Sequence, residues 1–202
     1  MKIYLVRHGQ TEWNLETRMQ GALDSPLTPR GRKDAEKLGE EIKDLPLDKI
    51  YSSPQGRALE TAKILKGNRP IPLVQKKDLR ELSVGLWEGK IFEDMVKLHP
   101  KEVHRYLYEP HLYQPEGEES YYDVYERVES FLEDLQKTKD QAVLVVSHGV
   151  TINALLNVME GIPVKDFWKK PLVLGTELSI VEEKDGCYHV VKRADSVGDL
   201  NY

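Results

Sequence analysis

The sequence predicts an α/β fold: a three-layer sandwich with a mostly parallel central sheet flanked by helices, and a small helical cap or insertion over one end. Three observations carry that expectation. Short apolar runs alternate along the chain with stretches of helical period. One run, Ala142-Val-Leu-Val-Val-Ser147, is apolar without a break as far as Val146, as a central parallel strand covered on both faces must be. Polar clusters stand directly behind the runs, and open parallel sheets take their ligands outside the carboxyl ends of their strands.

Taken in order, residues 2–6 form the first strand. Thr28 and Pro29 open a helix as N-cap and first helical residue, and Ala35, Leu38 and Ile42 mark its buried stripe. Residues 49–52 form the next strand. Ser53-Pro54 repeats the helix entry, with Ala58, Ala62 and Leu65 as the stripe. Residues 88–120 have weaker periodicity, several Tyr and His, and prolines at 100, 110 and 115; they are read as the cap. Residues 123–137 make an amphipathic helix with Val124, Val128, Phe131, Leu132 and Leu135 on one side. After the strand at 142–147, Ile152, Leu155, Leu156 and Met159 continue a helical pattern from Gly149. Near the end, residues 178–181 and 188–191 flank Lys184-Asp185-Gly186, a hairpin turn. No repeat, low-complexity tract or long linker interrupts the chain, so residues 1–202 are expected to be a single domain carrying its cap.

The chain is 40% hydrophobic and 31% charged, with a net charge of -5. That balance disfavours general nucleic-acid affinity, so an anionic substrate needs a local basic pocket working against the overall field. No segment has the length of an apolar membrane span. The amino end carries one lysine and four consecutive apolar residues before Arg7, which is no signal peptide. Cys187 is the only cysteine, so no internal disulfide can form and a cytoplasmic location is expected. The oligomeric state is not legible.

Arg7-His8-Gly9 follows the first strand, Ser53-Pro-Gln-Gly-Arg57 the second, and Ser147-His148-Gly149 the apolar run. Two imidazoles and two guanidiniums are therefore expected at one edge of one sheet. Arginine binds phosphate bidentately, histidine is a nucleophile near neutral pH, and glycine lets backbone amides approach oxyanions. That is the equipment of phosphoryl transfer to nitrogen.

With those clusters in view, the chain resembles the histidine phosphatase superfamily, which also holds the cofactor-dependent phosphoglycerate mutases. The matching blocks are Leu5-Val-Arg-His-Gly-Gln-Thr-Glu-Trp-Asn14, Asp24-Ser-Pro-Leu-Thr-Pro-Arg-Gly31, Ser52-Ser-Pro-Gln-Gly-Arg-Ala-Leu-Glu-Thr-Ala62, Leu79-Arg-Glu-Leu-Ser-Val-Gly-Leu-Trp-Glu-Gly89 and Val146-Ser-His-Gly149. The last-but-one block and the short length most resemble the broad-specificity bacterial phosphatases. The resemblance implies that His8 is the nucleophile and Glu81 the proton donor. It implies further that Arg7, Arg57 and His148 cradle the phosphoryl oxygens, and that Thr11, Asn14 and Gln20, with Gly21 and Gly149 beside them, complete the phosphate shell.

The chemistry then takes a definite form. His8 attacks as neutral imidazole, which adjacent guanidiniums favour, while its other ring nitrogen donates to a backbone carbonyl. Glu81, read as lying among Leu82 and Trp87, protonates the leaving group and later activates water. No metal or cofactor is called for, because the arginines and His148 supply the positive charge. His99, His104, His111 and His189 have no metal-ligand spacing and are read as surface or packing residues. Tyr106, Tyr108, Tyr113, Tyr121, Tyr122 and Tyr125 either line an apolar substrate groove or pack the cap.

Several alternatives stay open. Arg57 pairs with Glu60, Glu81 pairs with Arg80, or Glu12 replaces Glu81 as the donor. Thr11, Asn14 and Gln20 serve only as turn and cap residues. At the level of function, the expected activity is metal-independent hydrolysis of small phosphate esters. A mutase would need more basic residues after the acid, and residues 88–120 offer Lys90, Lys97, Lys101 and a single Arg105. An alpha-ribazole phosphatase remains open, since Pro115-Glu-Gly-Glu-Glu-Ser120 resembles that group's element with an extra glutamate. A non-catalytic phospholigand-binding scaffold is the alternative outside enzymes.

Overall fold

The unbroken apolar run forms the middle of the sheet. The computed structural model describes residues 1–115, 118–173 and 175–194. Among them, β1 (Lys2–Arg7), β2 (Lys49–Ser52), β3 (Leu73–Gln75), β4 (Ala142–Ser147), β5 (Leu178–Lys184) and β6 (Cys187–Lys192) form one sheet in the order β3-β2-β4-β1-β5-β6. The pairings from β3 to β1 are parallel, and β5 and β6 add an antiparallel edge. The helices are α1 (Glu12–Leu15), α2 (Pro29–Glu41), α3 (Gly56–Lys66), α4 (Phe92–Leu98), α5 (Pro100–Tyr108), α6 (Tyr121–Gln136) and α7 (Gly149–Met159).

All six residues of β4 are buried because each face of the strand meets a different helical layer. Leu144 and Val146 pack with Tyr4, Val6 and Ile50 against Leu38 and Ile42 from the α2 segment and Ala58, Ala62 and Leu65 from α3. Val143 and Val145 point the other way with Ile3 and Leu5, into Val124, Val128 and Phe131 of α6 and Ile152, Leu155 and Leu156 of α7. The period-2 pleat thus feeds two cores from one strand. Full burial of each such aliphatic is worth roughly 1.5–3 kcal/mol, so the two cores dominate the sandwich's stability.

The local signals act much as the sequence suggests, with a few shifts. Thr28 caps α2 by accepting from the Gly31 amide, and Pro29 stands at its first position. At α6 the cap is Ser120, whose hydroxyl accepts from the Asp123 amide while the Asp123 carboxylate accepts from Ser120 N; the helix therefore begins at Tyr121 rather than 123. The hairpin strands run longer than expected and leave Asp185 and Gly186 alone at the turn, with φ of 54° and 79°. Two corrections are larger. Ser53-Pro54 does not open the second helix: α3 starts at Gly56 behind Gln55, and the Ser53 hydroxyl bonds Gln55 N and His148 Nε2. β3 is absent from the sequence reading, since three residues behind Pro70 and Pro72 carry no legible period.

The weakly periodic segment holds α4 and α5, broken at His99-Pro100, and a 3-10 turn over Pro110–Leu112. Tyr113, Tyr121 and Tyr125 are core residues, and Tyr106, Tyr113 and Tyr121 form a ring cluster with Trp87, Phe167 and Trp168. Tyr122 is exposed. Packing, not a groove, accounts for Tyr113, Tyr121 and Tyr125.

The loop behind β1 is held by backbone-to-backbone contact. A Cβ on Gly9 would stand 2.7 Å from the Gly31 carbonyl oxygen, and one on Gly31 would stand 2.7 Å from Gln10 N. Thr28 N donates to Gln10 O at 2.9 Å across the same junction. The first turn of α2 therefore seats the loop that carries His8, and only glycine permits the approach. Gly39, in the same helix, has ordinary 3.5 Å contacts at its Cβ position. Gly31→Ala is expected to destabilise by about 1–3 kcal/mol and to lower activity, as overpacking does. Gly39→Ala should be neutral or stabilising by up to about 1 kcal/mol. Urea unfolding of the two variants checks this, and equal effects would show that the junction is loose.

Candidate active site

The parallel register sets the site. Arg7 stands opposite Ser147 and Ser52 opposite Val146, so β1, β2 and β4 end level. His8 N donates to Ser147 O at 2.9 Å and Ser53 N to Val146 O at 3.0 Å, which carries the pairing one residue past the strands. The residues that follow, His8, Ser53 and His148, are thereby neighbours although up to 140 positions separate them in sequence. The rings of His8 and His148 lie 5.2 Å apart, tilted by 59°.

His8 is buried, with Nδ1 2.8 Å from Gly9 O, so Nδ1 carries the hydrogen and donates it. Nε2 therefore carries no hydrogen, and its lone pair accepts from Arg57 Nε at 3.3 Å. Burial drives the His8 pKa well below 6.5, and the Arg57 and Arg7 charges push it the same way. The imidazole is neutral at physiological pH, its lone pair oriented by its own backbone.

Arg57 is 1% exposed, and four of its five guanidinium hydrogens have acceptors. Nη1 donates to Leu23 O at 2.7 Å and Asp24 Oδ1 at 3.0 Å, and Nη2 donates to Gly21 O at 3.0 Å. The expected alternative partner Glu60 instead pairs with Arg32. Gly21 has φ of 50°, which suits a residue without a side chain and turns its carbonyl toward Arg57 and Gln55 Nε2. Arg7 donates to Val173 O at 3.2 Å.

Glu81 does not sit in the apolar environment expected of it, nor does Arg80 pair with it. Its Oε1 accepts from Leu82 N at 3.0 Å and from Thr151 N and Oγ1 at 3.3 Å, and its Oε2 accepts from Val150 N at 3.2 Å. The amino end of α7 thus holds the carboxylate, as a helix start holds any anion. Its own amide donates to Gln55 Oε1 at 2.7 Å, and Arg80 O accepts from the Thr151 hydroxyl. Ser147 Oγ donates to Leu79 O at 2.7 Å. The segment is pinned by side chains from β4, α7 and the loop before α3.

A cleft of about 1460 Å³ opens beside these groups; His148, completely buried 5.2 Å from the His8 ring, is not part of its lining. Arg7, His8, Arg57, Glu81 and Gly149 line one side, with Asn14, Gln20 and Gly21 beside them. Phe92, Val96, Val103, Leu107 and Trp168 form the opposite wall, which α4 and α5 largely supply; Tyr106, Tyr108 and His104 line it as well. Gln20 Oε1 and His148 Nδ1 are buried without a hydrogen-bond partner among the described residues. Thr11 is not part of the lining. It is completely buried as the N-cap of α1, its hydroxyl donating to Asn14 Oδ1, so it fixes Asn14 rather than facing the cleft. Glu12 is exposed and also outside the lining. Sequence reasoning missed Asp24, Ser53, Gln55, Thr61 and Thr151. Thr61 is representative: its hydroxyl accepts from Gly9 N at 3.0 Å and donates to Arg57 O at 2.7 Å, tying the two clusters together.

The sequence profile of the histidine phosphatase superfamily (branch 1) matches residues 3–196. The chain belongs to the histidine phosphatase superfamily. It is similar to phosphoserine phosphatase 1 of Hydrogenobacter thermophilus, with 37% identity over 83% of this chain and 80% of the relative. An uncharacterized phosphatase PhoE of Bacillus subtilis is 34% identical over 79% of this chain and 77% of its own. Among solved structures, Bacillus stearothermophilus YhfR superposes with a TM-score of 0.92 at 39% identity, covering 96% of each chain. This histidine phosphatase is accordingly an enzyme of the phosphatase class. None of its described helices is long and apolar enough to cross a membrane.

The two rings give the phosphatase a pH signature. His148, completely buried, also has its pKa driven well below 6.5, by burial first and then by Arg57, His8, Arg127 and Arg7. Both histidines bind a proton below pH 6.5 when unfolded but not when folded. Stability is therefore full above pH 6.5 and falls as the pH drops toward the folded-state values, by about 1.4 kcal/mol per pH unit for each ring. Urea midpoints between pH 5 and 7.5 should show this slope, and His8→Ala should remove one ring's share. An unchanged slope in that variant would mean that His8 titrates normally in the fold.

Proposed function

We propose that this phosphatase hydrolyses small phosphate monoesters through a phosphohistidine on His8. One observation carries the reading: the bare Nε2 of His8, its tautomer fixed by Gly9 O, meets the guanidinium of Arg57 inside a cleft that a phosphate ester can enter. In the first step the Nε2 lone pair forms a bond to phosphorus, and the ester P–O bond breaks. Arg7 and Arg57 meet the spreading charge, with Gln20, Asn14 and His148 as further donors; Gly21 and Gly149 leave them room. Glu81, a carboxylate in the free enzyme, takes up a proton when the anionic ester arrives beside it and gives that proton to the leaving oxygen. A water then attacks phosphorus, Glu81 takes its proton, the N–P bond breaks, and phosphate leaves with His8 restored.

The wall of α4 and α5 supports broad leaving-group tolerance, since it offers apolar area and few fixed polar groups. The same segment supplies no adjacent arginines for a second phosphate or carboxylate, which favours hydrolysis over mutase chemistry. Phosphoserine joins the candidate substrates on the strength of the Hydrogenobacter relative's name. Residues 88–120 serve in this reading as a cap on a single domain, and the lone exposed Cys187 supports a reducing, cytoplasmic setting.

Activity on p-nitrophenyl phosphate with EDTA present is expected, and 3-phosphoglycerate should yield free phosphate rather than 2-phosphoglycerate. His8→Ala should cost on the order of 10⁴-fold or more in turnover with the fold intact. Enzyme quenched during turnover should carry phosphate that is labile in acid and stable in base. An acid-stable adduct would assign the chemistry to a hydroxyl instead. Glu81→Gln should slow alkyl esters far more than p-nitrophenyl phosphate, whose leaving group needs no proton. Equal losses on both substrates would remove Glu81 from the donor role.

A further inference from the structure

We propose that Ser53 is a positioning residue that sets the tautomer of His148, so that the Nδ1–H of that ring is presented to a phosphoryl oxygen held at His8. The proposal rests on the reading of His148 as part of the phosphoryl pocket. It assigns a role to a residue that sequence pattern would leave as a helix cap.

The argument is a count of one hydrogen. The Ser53 hydroxyl has two possible acceptors, His148 Nε2 at 2.8 Å and Gln55 Oε1 at 3.3 Å. Gln55 Oε1 already accepts from Glu81 N at 2.7 Å. The backbone N–H of Gln55 donates to Ser53 Oγ at 3.3 Å and takes one of its two lone pairs, leaving the hydroxyl hydrogen to be given to one of the two acceptors. The shorter and less occupied direction is His148 Nε2. A ring nitrogen that accepts carries no hydrogen. Because burial and nearby positive charges keep the imidazole neutral, its single N–H is at Nδ1.

Nδ1 of His148 is buried and has no hydrogen-bond partner among the described residues. A buried donor without an acceptor is costly and calls for an explanation. An acceptor that arrives with the substrate supplies one. The two rings, 5.2 Å apart, then have opposite duties. His8 spends its Nδ1–H on Gly9 O and offers a lone pair; His148 spends its lone pair on Ser53 and offers a hydrogen. Without the Ser53 donor, the His148 hydrogen is free to move to Nε2, and the ring would turn a lone pair toward the phosphoryl oxygens. That contact is repulsive.

Two-bond ¹⁵N–¹H spectra of the imidazoles should show the Nδ1–H tautomer for His148 in the native enzyme, with that proton shifting when vanadate binds. Ser53→Ala should move the ring toward Nε2–H and lower kcat on phenyl phosphate about 100-fold, the effect of losing one oriented donor. In a His148→Ala background the same substitution should cost nothing further, because Ser53 acts only through the ring. Nε2–H in the native enzyme, an unchanged kcat in Ser53→Ala, or an equal loss in both backgrounds would each overturn the proposal. Should Ser53→Ala fail to fold, the native spectra with and without vanadate decide, and a proton that vanadate leaves unmoved counts against it. A His148→Ala enzyme with native kcat would instead overturn the pocket reading itself, whatever the tautomer.

Discussion

A guanidinium taken out of water must have its hydrogens accepted by the protein, and that requirement at Arg57 organises the phosphoryl end of the molecule. Its acceptors come from Gly21, Leu23 and Asp24 in one loop and from His8 in another, while its backbone belongs to the first turn of α3. An unpaired buried charge costs several kcal/mol, so these partners cannot separate cheaply. One side chain thus locks together the loop behind β1, the loop after α1 and the start of α3. The same fork leaves Nε aimed at His8 Nε2, so the structural clamp and the cation beside that ring are one group.

The site's electrostatics run against the molecule's net charge of -5. Two arginines behind the strand ends make a local cationic pocket, and burial strengthens it by removing the water that would screen it. The opposing acid is treated differently. Glu81 is set on the amides that start α7, which hold a carboxylate close to the arginines without pairing it to them; the ion pair of Arg57 is with Asp24. The proposed reaction would use that separation, because a direct Arg57–Glu81 pair would occupy guanidinium donors and neutralise the acid. The fold therefore uses a helix start, not a guanidinium, to park its carboxylate.

Much of this was legible because the decisive residues sit where strand period gives way to helix period. The bounds of β2 and β4, the Thr28-Pro29 entry of α2 and the placing of His8 and His148 at one edge all follow from apolar runs and turn chemistry. What was not legible shares one physical cause. Ser53, Gln55, Asp24, Thr61 and Thr151 are small polar residues whose local roles look ordinary, and their defining partners lie 26 to 95 positions away. Ser-Pro is a good helix entry, so Ser53 reads as a cap in sequence, whereas in the fold its hydroxyl bonds His148 Nε2 at the neighbouring strand end. Glu81 was misjudged for the related reason that its sequence neighbours Leu82 and Trp87 are apolar, whereas its spatial neighbours are amides of α7. Thr11 erred in the opposite direction, a pocket residue by pattern and a cap by geometry.

The two walls of the cleft differ in how they are held, and the difference matters for what the enzyme can accept. On the strand side, His8, Arg57 and Glu81 are each held by several hydrogen bonds, so in the proposed reaction the geometry around phosphorus changes little from one ester to another. On the α4 and α5 side, the contacts are apolar surfaces packed on the Trp87 and Tyr106 ring cluster, and dispersion contacts have no direction to satisfy. A leaving group there is bound by area rather than by matched hydrogen bonds, and missing or extra methylenes change such binding by only about 1–3 kcal/mol each. Strict positioning of the phosphoryl group can then coexist with tolerance toward what it is attached to. Selectivity among substrates has to come from the few polar groups on that wall, such as His104, and not from the catalytic floor.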